Sequence, residues 1–575
     1  MPSAVDRRAF VALCAAMGIP VRTPRPGTPA ASPSGRSGPA GPLTKEQVTA
    51  AAALIGLEFT DAELTLMLRA LESQLAGYVA IRKVPLANPV APAFRFDPVP
   101  IGKLPVPQPD TTLKRSSAPK RPLPTAEGDW AFAGVAALAE HIRRGAVTSR
   151  ALTERALARL RAHDPALHCV VTLTAERALA QADLLDAEAR RGTFRGPLHG
   201  IPYGVKDLFS VPGYPTTWGS PIYRDQVLNQ TAAVVERLDA AGAVLVAKTS
   251  LGEFAQGDVW FGGMTRNPWN TEVGSSGSSA GSASGVSAGL FPFAIGTETL
   301  GSIVSPCSRC GVSGLRPTFG RVSRHGAMAL SWTMDKVGPI ARSAEDLALV
   351  FAAIHGADPR DPSSRSLPFS FDPTLPLSRI RIGVHPAMSK TPTAGNAQAE
   401  AAAALNRSVL DGLMAQGATW QPVEWPEDLP SGIAGLIIDV ESAAAFDELT
   451  RNNLDDQMVQ QTAGAWPNSF RAGRLIPAVE YVQANRVRTK LIEELDALYA
   501  TVDVVVAPTN AGSVLSATNL SGHPTVVVPS GFTASGQPRA VTFVAALWRE
   551  DLALRVAHAW QAASDVQTRR PPGFS

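Results

Sequence analysis

Two segments rich in glycine and serine are the first candidates for chemistry in this sequence. The first covers residues 274–289 and the second covers residues 296–306. Such a composition is typical of flexible linkers, but the first segment runs directly into the apolar residues 290–296, which must be buried. In a functional loop, small residues let the backbone approach a ligand and point free N–H groups towards it. We therefore interpret the first segment as a functional loop.

A lysine in an apolar strand is the second chemical feature. Lys206 directly follows the apolar run Ile201–Val205. A buried ammonium is costly unless it is paired or neutral, and desolvation lowers the pKa of a lysine so that it can act as a base near neutral pH. A serine hydroxyl needs such a base, because it is a weak nucleophile until its proton is taken. The alternative is that the Lys206 side chain extends to the surface.

Other glycine-rich sites fit this sequence less well. No lysine follows the glycines, as a phosphate-binding loop requires, and no G-x-G-x-x-G pattern opens a helix that is followed by a suitably placed acidic residue. The G-x-S-x-G pattern of α/β-hydrolases occurs by chance in so glycine-rich a stretch and needs histidine and aspartate partners. We interpret His199 and His325 as structural residues, and a histidine-driven mechanism is the alternative.

Five motifs, taken in order, resemble those of the amidase-signature family. Ser278 stands 24 positions before Ser302, which is similar to the family's spacing between relay serine and nucleophile. The resemblance covers roughly residues 130–565 of a family that includes the A subunit of glutamyl-tRNA(Gln) amidotransferase and fatty acid amide hydrolase. The motifs are Gly200–Asp207, Ser276–Ser282, Gly296–Pro306, Cys310–Arg324 and Asn519–Pro524.

The resemblance implies a role for each residue of the site. Lys206 would be the base, Ser302 the nucleophile, and Ser278, held in a cis peptide, the relay that passes protons between them. An alignment shifted by one position would replace Ser278 with Ser279. No metal and no cofactor is implied. The backbone N–H groups of the oxyanion hole would be those of Thr299, Leu300 and Gly301.

The sequence departs from the family pattern around the nucleophile. Glu298 stands where the family has aspartate, Leu300 where it has glycine, and Val304 where it has arginine. We expect the loss of this arginine to remove an ion pair with Glu298. All three side chains of the implied relay remain, so the departures affect the expected specificity rather than the expected activity.

Composition limits the partners of the protein. The 575 residues are 45% hydrophobic and 18% charged, with a net charge of +3, as in ordinary globular proteins. No basic run indicates nucleic-acid binding, and no apolar run reaches the length of roughly 18 residues that spans a bilayer. Cys307-x-x-Cys310 could be half of a metal site, but no second pair with matching spacing accompanies it. The expected partner is a small-molecule amide substrate, and homodimer formation is left open.

We predict five parts along the chain. Residues 1–21 are an export signal of the twin-arginine kind, from Arg7-Arg8, or alternatively a disordered leader of a cytoplasmic protein. Residues 22–43 are a flexible linker and residues 44–84 a helical hairpin with capping boxes at Thr44 and Thr60. Residues 85–128 are a proline-rich strap, and residues 129–575 are the amidase domain.

The pattern of the amidase domain predicts an α/β fold. The expected helices run from Phe132 to Arg144, from Ser149 to before Asp164-Pro165, from Thr174 to Gly192 and from Ser343 to Gly356. Buried strands are predicted at 201–205, 243–247, 502–507 and 525–528. This alternation predicts a sheet covered by helices on both faces, and the resemblance implies the mixed sheet of the amidase-signature fold with an N-terminal helical and proline-rich extension. The segment 360–480 is predicted to be irregular and to form much of the substrate pocket.

Three functions are therefore carried forward. The first is hydrolysis of a small-molecule carboxamide through a seryl acyl-enzyme. The second is that of a glutaminase-type A subunit of a tRNA-dependent amidotransferase, against which the extension before residue 130 and the export signal argue. The third is a non-catalytic binding protein on an amidase scaffold, which Leu300 and Val304 motivate.

Overall fold

The computed structural model describes most of the chain after residue 41. It covers residues 42–574 except 55, 82–83, 85–86, 89, 91–93, 101–102, 104–111, 117–122, 394, 428–431, 510 and 512. The export signal predicted at Arg7-Arg8 and all but the last two residues of the predicted linker lie outside the described residues. Within these bounds, no helix combines the length and the apolar character that crossing a membrane requires.

The centre of the fold is a mixed sheet of eleven strands among the described residues, in the order β1-β3-β2-β8-β10-β9-β14-β15-β13-β11-β12. Two separate pairs, β4-β5 and β6-β7, lie outside it. The strands are β1 (Val170–Leu173), β2 (Pro202–Lys206), β3 (Val244–Thr249), β4 (Val259–Trp260), β5 (Gly263–Met264), β6 (Arg266–Asn267), β7 (Asn270–Gly274), β8 (Phe293–Glu298), β9 (Ser313–Arg316), β10 (Lys336–Ala341), β11 (Ile382–Val384), β12 (Trp420–Pro422), β13 (Val504–Pro508), β14 (Thr525–Phe532) and β15 (Pro538–Ala545).

Helices cover both faces of this sheet, as alternation along β8 illustrates. Phe293 and Ile295 pack into one buried core, whereas Ala294 packs into the other. The fold is therefore the predicted mixed sheet between helices. The helices are α1 (Lys45–Leu54), α2 (Asp61–Ile81), α3 (Glu127–Ala131), α4 (Val135–Arg143), α5 (Ser149–Leu167), α6 (Ala175–Arg190), α7 (Ala233–Ala240), α8 (Ala280–Ser287), α9 (Val304–Cys310), α10 (Ala344–Ile354), α11 (Pro386–Ser389), α12 (Ala397–Ala415), α13 (Ile433–Ala445), α14 (Asp447–Arg451), α15 (Trp466–Gly473), α16 (Ala478–Thr501), α17 (Val514–Ser521) and α18 (Glu550–Ala563).

Two neighbouring parallel strands bring the predicted site together. β2 lies between β3 and β8 and runs parallel to both, and it ends at Lys206 while β8 ends at Glu298. Because the carboxyl ends of parallel strands meet at the same edge, Lys206 and the residues that follow β8 lie side by side. The first glycine and serine segment enters from that edge, where α8 begins at Ala280.

The two capping boxes are present. The Thr44 N–H donates to Gln47 Oε1 at 3.0 Å and the Gln47 N–H donates to Thr44 Oγ1 at 3.3 Å, at the start of α1. The Thr60 N–H donates to Glu63 Oε2 at 2.7 Å, at the start of α2. Both pairs satisfy N–H groups that the first helical turn leaves free.

Three details of the predicted pattern were wrong. α5 runs through Pro165 to Leu167, because a proline in the last turn removes one N–H while the Asp164 carboxylate accepts the N–H groups of Cys169 and Val170 beyond the helix. The helix expected from Phe132 begins at Val135, after the separate short helix α3. The segment 360–480 is irregular only in its first part: residues 360–385 contain no α-helix, whereas helices α11 to α15 and the start of α16 occupy much of residues 386–480, with their apolar residues buried in the larger core.

The close packing around β2, an interior strand of the sheet, generates a prediction about stability. A Cβ atom at Gly204 would lie 2.8 Å from both the Phe291 ring and Thr249 Cγ2. We expect Gly204→Ala to lower the free energy of unfolding by about 1–3 kcal/mol, because the rigid sheet cannot accommodate the methyl group. Gly435 in α13 is the matched control, since nothing lies within 4 Å of a Cβ atom there. Gly435→Ala should raise stability by about 0.5–1 kcal/mol. Denaturant unfolding of both variants tests this, and equal effects would contradict it.

Candidate active site

Lys206 is completely buried at the end of β2 and contacts hydroxyl groups. Its Nζ donates to Ser278 Oγ at 2.7 Å and to Thr297 Oγ1 at 2.9 Å, with Ser279 Oγ farther away at 3.3 Å. Burial lowers the pKa of Lys206 to about 7, although the charges of Asp335 and Glu298 oppose the shift. Near neutral pH a large fraction of the amine is therefore unprotonated and able to accept a proton.

The loop before α8 presents Ser278 to this lysine. The Gly277–Ser278 peptide bond is cis, and the Ser276 N–H donates to Asp258 Oδ2 at 2.8 Å. A Cβ atom at position 277 would lie 1.8 Å from the carbonyl oxygen of Gly257, so only glycine fits there. Glycine at position 277 is therefore required for the loop backbone to pass this close to the backbone of Gly257.

The alternative serine, Ser279, is engaged elsewhere. Its Oγ donates to the carbonyl oxygen of Thr297 at 3.0 Å and accepts the Thr297 N–H at 3.1 Å. These bonds fasten the start of α8 to β8. Ser278 has the shorter contact with Lys206 and no comparable tie to the Thr297 backbone among the bonds of the described residues. The geometry thus favours Ser278 over Ser279 as the partner of Lys206.

Ser302 lies in the turn between β8 and α9. Its carbonyl oxygen accepts the Ser279 N–H at 3.1 Å, so its backbone lies against that of the Ser278 loop. Gly301 has φ +96°, which favours glycine, and the Gly301 carbonyl accepts the Ser305 N–H at 2.7 Å. Among the described residues, a hydrogen bond joins Lys206 to Ser278 directly, whereas Ser302 is bonded to neither of them and reaches this loop through the Ser279 N–H.

The N–H groups of this turn are available to a ligand. Towards the residues that the structure describes, no hydrogen-bond acceptor is recorded for the N–H groups of Thr299, Leu300, Gly301 or Ser302. Leu300 lies outside the positive-φ region, so a side chain is tolerated where the family pattern has glycine. The arrangement therefore provides several backbone N–H groups beside Ser302 that could donate hydrogen bonds to a negatively charged oxygen.

Glu298 holds both ends of the turn. Its Oε2 accepts the N–H groups of Ile303 and Val304 at 2.8 and 2.9 Å, at the start of α9. Its Oε1 accepts from Arg316 at 2.6 Å and from Asn519 Nδ2 at 2.8 Å. Burial alone raises the pKa of Glu298, but the Arg316 charge and these donors outweigh it and lower the pKa to about 2.

Val304 cannot form the ion pair expected of the family's arginine, but Glu298 is not left unpaired. Arg316, at the end of β9, forms that ion pair, and both side chains are completely buried. Arg316 also donates to the carbonyl oxygen of His523 at 3.0 Å. The sequence does contain the arginine, within the block 310–324, but its pairing depends on the order of β8, β10 and β9 in the sheet.

Two buried acidic residues of this region were not predicted. Asp335 Oδ1 accepts from Thr299 Oγ1 at 2.6 Å, and burial raises the pKa of Asp335. Asp207, next to Lys206, forms an ion pair with Lys248 at 2.6 Å, with both side chains completely buried. Charged residues inside the apolar runs 201–211 and 243–251 were the available signal for the second pair, since buried charges are usually paired.

A cavity of about 90 Å³ adjoins the turn and the Thr297 side chain. The segment 360–480 contributes only residues 360–362 to it, whereas residues 324–337 supply most of the lining. Other residues that line it include Leu208, Ala255, Thr297 and Thr299. The cavity thus connects the predicted oxyanion turn with the loop that precedes β10.

Among the described residues, none of the other predicted candidates, the histidines and cysteines, forms a hydrogen bond with Lys206, Ser278 or Ser302. His199 has its ring nitrogens engaged by the Leu185 carbonyl oxygen at 3.1 Å and the Arg195 N–H at 3.3 Å. Cys307 and Cys310 are buried free thiols on α9. His325 lines the cavity. Within the described residues, no group of three or more His, Cys, Asp and Glu is placed to hold a metal ion.

The buried Glu298–Arg316 pair generates a prediction about stability. We expect Glu298→Gln to lower the free energy of unfolding at pH 7 by about 3–5 kcal/mol, because Arg316 is left buried without its charge partner. Because the folded pKa of Glu298 is depressed to about 2, its contribution is present above the unfolded value of 4.5 and is lost as pH falls towards 2. The difference from wild type should therefore shrink below pH 4.5.

Denaturant unfolding between pH 3 and 7 measures this difference. Asp183→Asn is the control, because Asp183 pairs with Arg150 at the surface, where side chains are 54% and 43% exposed. That pair should contribute less than about 1 kcal/mol. A Glu298→Gln effect that is no larger than the control, or that does not change with pH, would contradict the assignment.

Comparisons with known proteins agree on one family. Residues 151–516 match the family model described as Amidase. The A subunit of glutamyl-tRNA(Gln) amidotransferase from a Synechococcus species is 33% identical over 76% of this chain and 98% of that protein. The corresponding protein from Chloroflexus aggregans is 34% identical over 74% and 95%, respectively.

Solved structures support the same assignment. Native peptide amidase from Stenotrophomonas maltophilia has 31% sequence identity and a TM-score of 0.67, covering 78% of this chain and all of that one. A structure described as a vestigial complex bearing on the origins of an s-triazine catabolic enzyme also has 31% identity and a TM-score of 0.67, over 75% and 99% of the two chains. The chain belongs to the amidase-signature family of amide hydrolases.

Proposed function

We propose that the protein hydrolyses the carbon–nitrogen bond of a small-molecule carboxamide through a seryl acyl-enzyme. The observation that carries the proposal is the buried contact of 2.7 Å between Lys206 Nζ and Ser278 Oγ, next to the backbone of Ser302. A buried lysine whose pKa is about 7 supplies a base without histidine.

In the proposed reaction, Lys206 takes a proton from Ser278 as Ser278 takes one from Ser302. Ser302 Oγ then attacks the amide carbonyl carbon, and the N–H groups of Thr299, Leu300 and Gly301 stabilise the oxyanion. One such donor contributes roughly 3 kcal/mol to lowering the barrier. Ser278 returns a proton to the leaving amine, the C–N bond breaks, and water releases the carboxylate by the same relay.

A second function has its own support. The curated relatives at 33% and 34% identity are A subunits of glutamyl-tRNA(Gln) amidotransferase, which favours a glutaminase-type role. The similarity to a peptide amidase, at 31% identity over its whole length, supports a hydrolase that acts on free amides. The extension before residue 130 contacts the domain surface, for example through the Lys114–Asp372 ion pair. For this reason we favour the hydrolase that acts on free amides over the glutaminase-type subunit.

The first test is turnover of an amide panel by the purified protein. The panel holds short aliphatic, aryl and peptide amides together with glutamine, and intact-mass measurement detects the acyl-enzyme. We expect turnover of several carboxamides, with Ser302→Ala at least about 10³-fold slower. Ser308 is a half-buried serine of α9, the helix that follows the Ser302 turn, and Ser308→Ala should keep wild-type rates.

The outcomes of this panel separate the three functions. Turnover of glutamine alone would favour the amidotransferase role. Labelling of wild type, but not of Ser302→Ala, by a fluorophosphonate supports a catalytic serine. Normal turnover by Ser302→Ala would refute the mechanism, and a wild-type protein without turnover or adduct would favour a non-catalytic binding protein.

The second test is the pH dependence of kcat/KM. Because the neutral amine of Lys206 accepts the proton, activity should rise about tenfold per unit below pH 7 and level off above it. Titration of Glu253 could produce the same acidic limb, since burial raises the pKa of Glu253 to about 7 as well, so a Glu253 variant is the control. The acidic limb should persist in Glu253→Gln and disappear in Lys206→Ala, which should be about 10²–10⁴-fold slower while remaining folded by circular dichroism. Loss of the limb in Glu253→Gln would contradict its assignment to Lys206.

A further inference from the structure

The loop before β10 connects the cavity with the oxyanion turn. We call residues 327–335 the cavity loop. The Met328 N–H donates to the Leu208 carbonyl oxygen at 3.0 Å, two residues beyond Lys206. The N–H groups of Leu330 and Ser331 donate to Asp335 Oδ2 at 2.8 and 3.0 Å, and Asp335 Oδ1 accepts from Thr299 in the turn. The conformation of this loop therefore sets the orientation of the carboxylate that accepts the Thr299 hydroxyl.

A residue of the N-terminal extension holds the middle of the cavity loop. Asn88 Nδ2 donates to the Ala329 carbonyl oxygen at 2.8 Å, and Asn88 Oδ1 accepts the Ala329 N–H at 2.7 Å. The side-chain amide thus satisfies both backbone groups of one residue, as a neighbouring strand would. Asn88 is 241 positions from Ala329 and precedes the family-model match, which begins at residue 151.

Two aromatic residues of the extension contact the other supports of the loop. The centres of the Phe94 and Tyr481 rings lie 6.4 Å apart, and the Tyr481 hydroxyl donates to Glu441 Oε1 at 2.7 Å. Glu441 in turn accepts from the Ser331 hydroxyl at 2.7 Å and from Thr333. The extension therefore touches the network around Glu441 as well as the loop itself.

The second aromatic contact is made through an arginine. The Arg488 guanidinium lies 3.4 Å above the centre of the Phe96 ring and is completely buried among its neighbours. Arg488 donates to the Thr333 carbonyl oxygen at 2.8 Å and to Thr333 Oγ1 at 3.0 Å. Three contacts of the extension thus converge on one loop, although they start from three separate residues.

We propose that Asn88, with Phe94 and Phe96, positions the cavity loop and through Asp335 fixes Thr299 in the oxyanion turn. Asn88 is a positioning residue, because it acts on the reacting atoms only through the Ala329 backbone and Asp335. The inference rests on the proposed amide hydrolysis. Without these contacts the Leu330 and Ser331 N–H groups are held less tightly, and misplacement by about 1 Å in a catalytic turn can slow a reaction by up to about 10²-fold.

Kinetics of Asn88 variants in the full-length protein provide the first test. We expect Asn88→Ala to lower kcat about tenfold with a change in KM of less than about threefold, since the turn acts on the transition state. Asn88→Asp keeps the shape of the side chain but replaces the donor facing the Ala329 carbonyl oxygen with an acceptor. Its kcat should therefore fall at least as far as that of Asn88→Ala. Lys114→Ala is the matched control within the extension, since its ion pair with Asp372 lies outside this network, and it should stay within twofold of wild type.

Hydrogen–deuterium exchange gives a readout that does not depend on turnover. In Asn88→Ala, but not in Lys114→Ala, peptides that span residues 327–335 and 298–303 should exchange faster, while β14 keeps its protection. Unchanged exchange and unchanged kcat in Asn88→Ala would overturn the proposal. An equal loss of kcat in Lys114→Ala, or a wild-type kcat in Asn88→Asp, would overturn it as well. Loss of turnover by the wild type itself would refute the proposed function, whereas the exchange result would still decide the positioning role.

Discussion

One buried carboxylate connects the parts of the molecule that meet at the site. Glu298 ends β8, caps α9 through the Ile303 and Val304 N–H groups, and pairs with Arg316 of β9. Its bond to Asn519 ties α17 to the same point. Because a buried charge is tolerated only when it is fully paired, these elements must dock in one arrangement for the carboxylate to be satisfied. The Ser302 turn is held between two of these ties, Glu298 before it and the Ile303 and Val304 N–H groups after it.

Two lysines on adjacent strands show how environment decides chemistry. Lys206 and Lys248 are both completely buried, on β2 and β3. Lys248 forms an ion pair with Asp207, whereas Lys206 donates to neutral hydroxyl groups. Desolvation lowers the pKa of both, but only Lys248 has a carboxylate hydrogen-bonded to its ammonium, whereas at Lys206 the charges of Asp335 and Glu298 oppose the shift without such a bond. The fold thus separates a structural lysine from one that is suited to proton transfer.

Sequence reasoning succeeded where the information is local. The capping boxes at Thr44 and Thr60, the mixed sheet between helices and the family itself follow from short patterns and their order. It failed where partners are distant in the chain. Arg316 as the partner of Glu298 depends on strand order, and Asp335 reaches Thr299 through a loop whose path no motif predicts. The roles of Lys206, Ser278 and Ser302 stay predictions, since geometry places the residues but does not measure the reaction.

The contact of Asn88 with Ala329 changes what counts as the functional unit of this protein. Homology sets the boundary of the family match at residue 151, but the residues that brace the cavity loop come from before it. Substitutions in the extension can therefore alter turnover while the buried network of Lys206 and Glu298 remains intact. A surface segment, which is under fewer packing constraints than the core, thus acts on the turn beside Ser302.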